Sequence, residues 1–465
     1  MNSFADIIAA VSTPPGKGGV AIIRISGEGA LSLAERFFFP ASGKTLGSYH
    51  SRTQVYGFVT SKDGKRIDDG LATCFEAGRS FTGEETVEIT SHGGVLVTSM
   101  VLEEAFLAGA RAAEPGEFTR RAFVNGKLTL SDAEAIGMLL DAESREQVAL
   151  FSEEARKKLN ESFSDISTTL TELLGSAYAR IDYPDEDLGD FSDGEMRDML
   201  LLVKEKITAL LATYKTGRAI KDGIKTVIAG KPNAGKSSIY NAILGEDAAI
   251  VTDIKGTTTD VLERTAVMDR VTLRLFDTAG LREDADAGVI ERIGIERTRK
   301  SLADAELVLA VFDLSEELDE SDLDLIKTLG KLDCEVIAIL NKTDARCAAF
   351  DEEKIRKKFD TVVPFSAIEA KNGLTELSKT VCELFTDERI RCGDTPIIST
   401  ARQHSALSGA LQLVDTAIAA IDAGLPSDLV SSDIERALRA IAEEDGKEVS
   451  EAVTNDIFSR FCVGK

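Results

Sequence analysis

The chain has 465 residues, with 79 acidic and 54 basic side chains and a formal charge of -25. That length is too great for one hydrophobic core and predicts about three domains. The acidic balance argues against a broad phosphate-backbone footprint, so any nucleic-acid contact is local or supplied by a partner, and no apolar run of about 18 residues offers a membrane span.

The start of the chain, Met1-Asn2-Ser3-Phe4-Ala5-Asp6, lacks the basic opening and apolar core of a signal peptide, so a cytoplasmic protein is expected. The six cysteines form no CxxC pair and read as reduced thiols. His50, His92 and His404 lie far apart in sequence, which argues against a zinc site.

Residues 7–12 form a short apolar run. Thr13-Pro14-Pro15-Gly16-Lys17-Gly18-Gly19 is a loop that is first rigid and then flexible. Residues 20–27 read as a strand that Arg24 interrupts; an arginine there either snorkels at a sheet edge or binds an anion. Residues 53–59 and 70–75 also read as strands. The stretch 80–94 places Glu88 in a strand pattern ahead of Gly93-Gly94, as a solvent-facing carboxylate or a functional one. A helix is expected over 95–107. This first unit, residues 1–120, is α+β.

Residues 113–128, from Ala113-Glu114-Pro115-Gly116-Glu117-Phe118-Thr119 to Lys127-Leu128, read as a hinge. The pattern is then helical from 131 to about 182, with Ser131-Asp132-Ala133-Glu134 as a capping box and a break near Tyr183-Pro184. Another helix is expected over 193–213. This region reads as scaffold.

Residues 226–229 predict a buried strand ahead of Gly230-Lys231-Pro232-Asn233-Ala234-Gly235-Lys236-Ser237, and Ser238 opens a helical run that ends at Gly245. Strand, glycine turn and helix together aim several backbone N–H groups at one point, which suits a phosphate. Lys236 would reach the β- and γ-phosphates and Ser237 would ligate Mg²⁺. The polar loop Gly256-Thr257-Thr258-Thr259-Asp260 offers Thr258 to complete the Mg²⁺ shell. A strand over 273–276 delivers Asp277-Thr278-Ala279-Gly280, with Asp277 holding Mg²⁺ through water and the Gly280 N–H facing the γ-phosphate. A strand over 336–340 delivers Asn341-Lys342-Thr343-Asp344. The Asp344 carboxylate can accept from the guanine N1–H and 2-amino group, a donor pair that adenine lacks. Residues 362–365 lead to Ser366 and Ala367, a backbone contact for the guanine oxygen. The ordered set resembles the Ras-like GTPase fold, with GTP at the carboxyl ends of a parallel sheet.

Helices are expected over 403–422 and 432–444, with Gly424-Leu425-Pro426-Ser427 between them. They are too few for a large core and are expected to pack on helices 131–213. That makes a discontinuous helical domain, 121–217 and 385–465, into which a GTPase domain, 218–384, is inserted. The tail Phe461-Cys462-Val463-Gly464-Lys465 is aromatic and carries a thiol; it reads either as a helix end with a frayed terminus or as something functional.

Over essentially its whole length the chain resembles the MnmE (TrmE) family of tRNA-modifying GTPases. The resemblance rests on residues 13–19 with Arg24, 82–84 through 92–94, 115–119 with Arg121-Ala122-Phe123, the phosphate loop, and the tail. It implies a multidomain α+β and α/β architecture: a folate-binding, dimerising N-terminal domain, a helical domain and an inserted Ras-like P-loop GTPase domain. It also implies a flavin-dependent MnmG-type (FAD) partner in a heterotetramer, and an aminomethyl-type group placed on C5 of the wobble uridine of certain tRNAs.

By the same resemblance Arg24, Glu88, Lys127 and Lys465 would contact a 5-formyl-tetrahydrofolate or related one-carbon folate, and Cys462 is the family's C-terminal cysteine. The chemistry is reasonable, because basic groups meet carboxylates while Glu88 can accept from a pterin amine. K⁺ would be held by Asn233 with Thr252, Ile254 and Thr257, in a loop where Asp253, Lys255 and Gly256 also face GTP. That cation would stand in for an arginine finger. Ras-like enzymes orient the attacking water with a glutamine that is replaced here by Leu281; the family points instead to Glu291, ahead of Glu283 and Asp284. One departure is Thr259, where the family usually has arginine. Two other readings are a ribosome-assembly GTPase switch, for which the acidic chain lacks a basic RNA-binding module, and a folate-dependent aminomethyl transferase with a vestigial GTPase.

Overall fold

The computed structural model describes residues 6–182, 192–245, 263–276, 304–366, 368, 370–442, 458, 461 and 464. The chain forms two compact units, Met1–Gly137 with Arg439–Lys465, and Met138–Leu438.

In the first unit the chain runs β1 (Ile8–Val11), β2 (Val20–Ser26), α1 (Ala30–Ala34), β3 (Phe38–Pro40), β4 (Gln54–Thr60), β5 (Arg66–Phe75), β6 (Thr86–His92), α2 (Val95–Leu107), β7 (Arg111–Ala112), α3 (Glu117–Val124) and α4 (Leu130–Leu140). The sheet order is β3-β4-β5-β6-β2-β1-β7, antiparallel except where β7 joins β1. Period-two alternation explains the core: Ile23 and Ile25 are buried with Val87 and Ile89, which leaves Arg24 on the opposite face. Because β2 pairs with both β1 and β6, Arg24 is not at a sheet edge, and the snorkelling reading is wrong.

The α4 cap also differs from expectation. The box is Thr129–Asp132: the Asp132 N–H donates to Thr129 Oγ1 at 3.1 Å and the Thr129 N–H to Asp132 Oδ2 at 3.1 Å. Thr129 supplies the hydroxyl two residues ahead of Ser131, so the helix starts earlier. Leu130 and Ala133 of α4 form a small core with Phe458, joined by Phe123 and Phe461. Gly464 sits at φ 101, and a Cβ there would lie 2.2 Å from the Val11 carbonyl oxygen. These three tail residues are therefore packed against the first unit, and the frayed-end reading fails for them.

The second unit begins with α5 (Arg145–Leu150), α6 (Glu153–Asp182), α7 (Asp193–Ala212) and α8 (Tyr214–Asp222). The single helical stretch expected from 131 to 182 is divided because Ser144 caps α5 in a box with Gln147, and Ser152 Oγ accepts from the Ala155 N–H. A parallel-stranded layer follows: β8 (Ile224–Gly230), α9 (Lys236–Leu244), β9 (Glu263–Met268), β10 (Val271–Phe276), β11 (Leu307–Asp313), α10 (Glu320–Leu329), β12 (Glu335–Asn341), α11 (Glu352–Arg356), β13 (Thr361–Pro364) and α12 (Ala370–Phe385). Its order is β13-β12-β11-β8-β10-β9, with only β9 antiparallel. α13 (Ala401–Asp422) packs along α7, with Lys204–Asp415 at 2.7 Å and Arg197–Asp422 at 2.6 Å. α14 (Ser427–Ala442) starts just after Pro426, five residues ahead of the expected 432. Among the described residues, no helix is long and apolar enough to cross a membrane.

Candidate functional site

The chain leaves β8 toward α9 and β10 on one side and returns to β11 on the other. This reversal opens a crevice at the carboxyl ends of β8 and β11, the place where open α/β sheets bind ligands. The phosphate loop lies there. Asn233 has φ 61, a left-handed conformation that asparagine tolerates better than most residues. Gly235 has φ 98 and is the N-cap of α9, where it supplies no side-chain cap; a helix N-terminus of this kind suits an anion. A Cβ on Gly235 would fall 2.0 Å from Asn341 Nδ2. That amide donates to the Ala234 carbonyl at 2.8 Å, which fastens the base-reading motif to the phosphate loop. Lys236 Nζ donates to the Lys231 carbonyl at 2.7 Å. Ser237 is half-buried in the first turn of α9 and Ser238 is exposed.

The base-reading side is held by strand ends. Lys342 takes φ 61, and its Nζ lies 2.5 Å from Asp313 Oδ2. Asp313 is buried at the end of β11. Burial pushes its carboxyl up, but Lys342 and two Ser315 hydrogen bonds outweigh that and hold it below the ordinary carboxylate value. The Thr343 N–H donates to the Phe365 carbonyl at 3.3 Å. Ser366 Oγ donates to Asp344 Oδ1 at 2.6 Å, which orients the carboxylate that would read guanine. Sequence reading misses Asp313. The signal is a lone carboxylate closing the apolar run 307–312, at the same strand level as Asn341.

Thr252, Asp253, Ile254, Lys255, Gly256, Thr257, Thr258, Asp277, Thr278, Ala279, Gly280, Glu291, Ala367, Cys462 and Lys465 lie outside the described residues.

In the first unit, Arg24 and Glu88 are cross-strand neighbours, and Arg24 Nε donates to Glu88 Oε1 at 2.9 Å. The guanidinium carbon lies 5.3 Å from the Phe81 ring centre and 5.5 Å from that of Phe118. Neither aromatic is evident as a site residue from sequence. The tail approaches the same region: Ser12 Oγ donates to the Gly464 carbonyl at 3.1 Å, just beyond Val11, while Ala10 is opposite Arg24 in register. Lys127 is tied elsewhere, with Nζ on the Gly78 carbonyl at 3.0 Å. The helix that carries Phe118 is anchored by a buried ionic network. Glu117 accepts from Arg111 at 2.6 Å, from the fully buried Arg121 at 3.0 Å and from the Glu114 N–H at 2.8 Å. Burial pushes the Glu117 carboxyl up, yet those donors hold it below its ordinary value. The five described cysteines are free, and burial raises Cys74 to about 12 and Cys392 to about 11.

A phosphate loop at the β8–α9 turn and an Asn-Lys-x-Asp reader at the end of β12, joined by the Asn341 staple, define a P-loop guanine-nucleotide-binding protein. Comparison with known proteins narrows the class. Residues 7–127 match the family described as GTP-binding protein TrmE N-terminus, and residues 130–462 match the MnmE helical domain. The chain is 40% identical over 468 residues to the tRNA modification GTPase MnmE of Bacillus velezensis, covering 99% of this chain and 100% of that one. It is 38% identical to the Geobacillus kaustophilus protein of that name, covering 99% of each, and 38% identical to the Bacillus subtilis one, covering 99% and 100%. The chain belongs to the MnmE family of tRNA modification GTPases.

Proposed function

We propose that this chain is the K⁺-stimulated GTPase and folate-binding half of a complex that installs an aminomethyl or carboxymethylaminomethyl group on C5 of the tRNA wobble uridine. The observation that carries the reading is the Arg24–Glu88 pair, walled by Phe81 and Phe118 beside the tail, in the same chain as a phosphate loop stapled to an Asn-Lys-x-Asp turn. A switch without one-carbon chemistry has no need of the first.

GTP hydrolysis is assigned to residues 218–384 and scaffolding to 121–217 with 385–465; folate binding and homodimerisation are assigned to residues 1–120. In the crevice, the loop N–H groups and Lys236 bind the phosphates, Asp344 selects guanine, and Glu291 orients the attacking water. Ser237 and Thr258 would hold Mg²⁺, since hydroxyl oxygens are the hard donors that ion takes, and Gly235 leaves room for the Asn341 amide to brace the loop that would face the phosphates. Asn233, Thr252, Ile254 and Thr257 would hold K⁺, which when bound supplies positive charge to the leaving phosphate. Arg24 and Glu88 would bind a formyl-tetrahydrofolate, with Lys127, once released from the Gly78 carbonyl, and Lys465 reaching in from outside residues 1–120; an ion pair between aromatic faces suits a flat heterocycle with amine donors and a carboxylate tail. The flavin-dependent MnmG-type protein is the expected partner, and the cytoplasm the expected place of action.

The test is mass spectrometry of tRNA nucleosides from cells in which this chain is the only source of the activity. Arg24→Gln and Glu88→Gln are expected to abolish the modified wobble uridine while the purified variants still hydrolyse GTP. Normal modification in both variants would contradict the folate role. Unmodified parent tRNA, together with a ribosomal-subunit defect on deletion, would favour the assembly switch.

A further inference from the structure

Lys231, the second residue of the phosphate loop, is used at both ends. Its carbonyl oxygen accepts from Lys236 Nζ at 2.7 Å. Its own ammonium lies 3.0 Å from Asp322 Oδ2, 3.1 Å from Asp319 Oδ2 and 3.4 Å from Glu316 Oε2. The Lys231 side chain is 8% exposed and that of Asp322 only 2%. Asp319 is the N-cap of α10 and Asp322 its third residue, and each accepts from the other's N–H, at 3.0 and 3.2 Å. The acidic partners are therefore fixed by a capping box before they meet the lysine. Among the described residues Asp322 Oδ1 is buried without a hydrogen-bond partner, so Lys231 carries most of the compensation for that charge. The strand leading into this segment is tied to the base reader as well, through the Leu314 N–H on the Asn341 carbonyl at 2.9 Å.

We infer that Asp322, assisted by Asp319, is a positioning residue for the nucleotide: through Lys231 it sets the height of the loop carbonyl that holds Lys236, and so keeps the N–H cradle assembled before GTP arrives. This rests on reading the phosphate loop as the nucleotide site. A preassembled loop is worth affinity because binding then orders fewer groups. The sign of the effect is diagnostic. A carboxylate near a phosphate site repels the ligand, so a field effect alone makes removal of the Asp322 charge tighten binding. Positioning makes the same change weaken it.

The experiment titrates fluorescent GDP into the full chain and measures steady-state GTP hydrolysis. Asp322→Asn keeps the side-chain volume and an acceptor for the capping box. It is expected to raise the GDP Kd about tenfold, with the change in hydrolysis carried by KM rather than kcat, as loss of uniform binding requires. Asp322→Glu, a favoured residue at that position of a capping box, is expected to return the Kd to within about threefold of the parent. Glu316→Gln, which removes a charge without touching the cap, is expected to leave the Kd unchanged or lower. If Asp322→Asn does not fold, Asp319→Asn serves, because asparagine caps as well as aspartate; it is expected to raise the Kd about threefold. An unchanged or lower Kd in a folded Asp322→Asn or Asp319→Asn overturns the inference. A parent chain that fails to bind GDP overturns the site reading itself.

Discussion

Gly235→Ala tests the phosphate loop with the fewest atoms changed. At φ 98 an alanine carries a left-handed penalty of about 1–2 kcal/mol. Its Cβ would also fall 2.0 Å from Asn341 Nδ2, which cannot stay where it is. Moving that amide breaks its 2.8 Å bond and leaves the Ala234 carbonyl without it, a loss of about 1–3 kcal/mol for a buried acceptor. The loop in the free variant relaxes into another conformation, and nucleotide binding has to reverse the change. A total of about 3 kcal/mol corresponds to roughly a hundredfold weaker binding of both GDP and GTP. The assay is fluorescent GDP titration, with thermal unfolding as a control for the fold. A Kd within threefold of the parent would refute both the cradle geometry and the role of the Asn341 staple.

Other outcomes follow from the same geometry. Asp344→Asn exchanges an acceptor pair for an amide; GTP affinity should fall about a hundredfold, from the loss of charge-assisted bonds of about 1.5–3 kcal/mol each, and xanthine nucleotides should now be preferred. Retained GTP preference in a competition assay would count against Asp344 as the reader. Glu117 has a depressed carboxyl pKa, so the stability it contributes is present above the unfolded value of about 4.3 and is lost as pH falls through the lower folded value. Denaturant melts should show Glu117→Gln less stable than the parent at pH 7, with the gap closing below about pH 4; a gap independent of pH would contradict the pairing. Native alkylation should leave Cys74 and Cys392 unmodified at pH 7, since burial keeps both as thiols, and rapid labelling of either by mass spectrometry would contradict that.

The phosphate loop and the Asn341–Asp344 turn are legible in the sequence because each is local: a glycine turn between strand and helix, and four residues at a strand end. β11 is less so, because a strand buried on both faces is a plain apolar run with no alternation. The long-range partners are illegible for a different reason. Lys342 and Asp313 lie 29 residues apart, Arg24 and Glu88 64 apart, and Lys231 and Asp319 88 apart, so only the sheet order brings each pair together. Alternation along β2 places Arg24 off the core face but cannot say that β6 lies beside it. The α4 cap is misread by two residues because Thr129 and Ser131 both offer hydroxyls, and the choice depends on Asp132. Phe81 and Phe118 lie 37 residues apart in sequence and 57 or more from Arg24, so nothing local to either shows that both rings face its guanidinium.

The most direct measurement is GTP hydrolysis by the purified chain in K⁺ and in Na⁺ at matched ionic strength, with Asn233→Ala and Glu291→Ala alongside. A large K⁺ preference that disappears in Asn233→Ala, with hydrolysis but not nucleotide binding lost in Glu291→Ala, is the predicted result. Equal rates in the two salts would contradict the cation mechanism proposed for GTP hydrolysis by this chain.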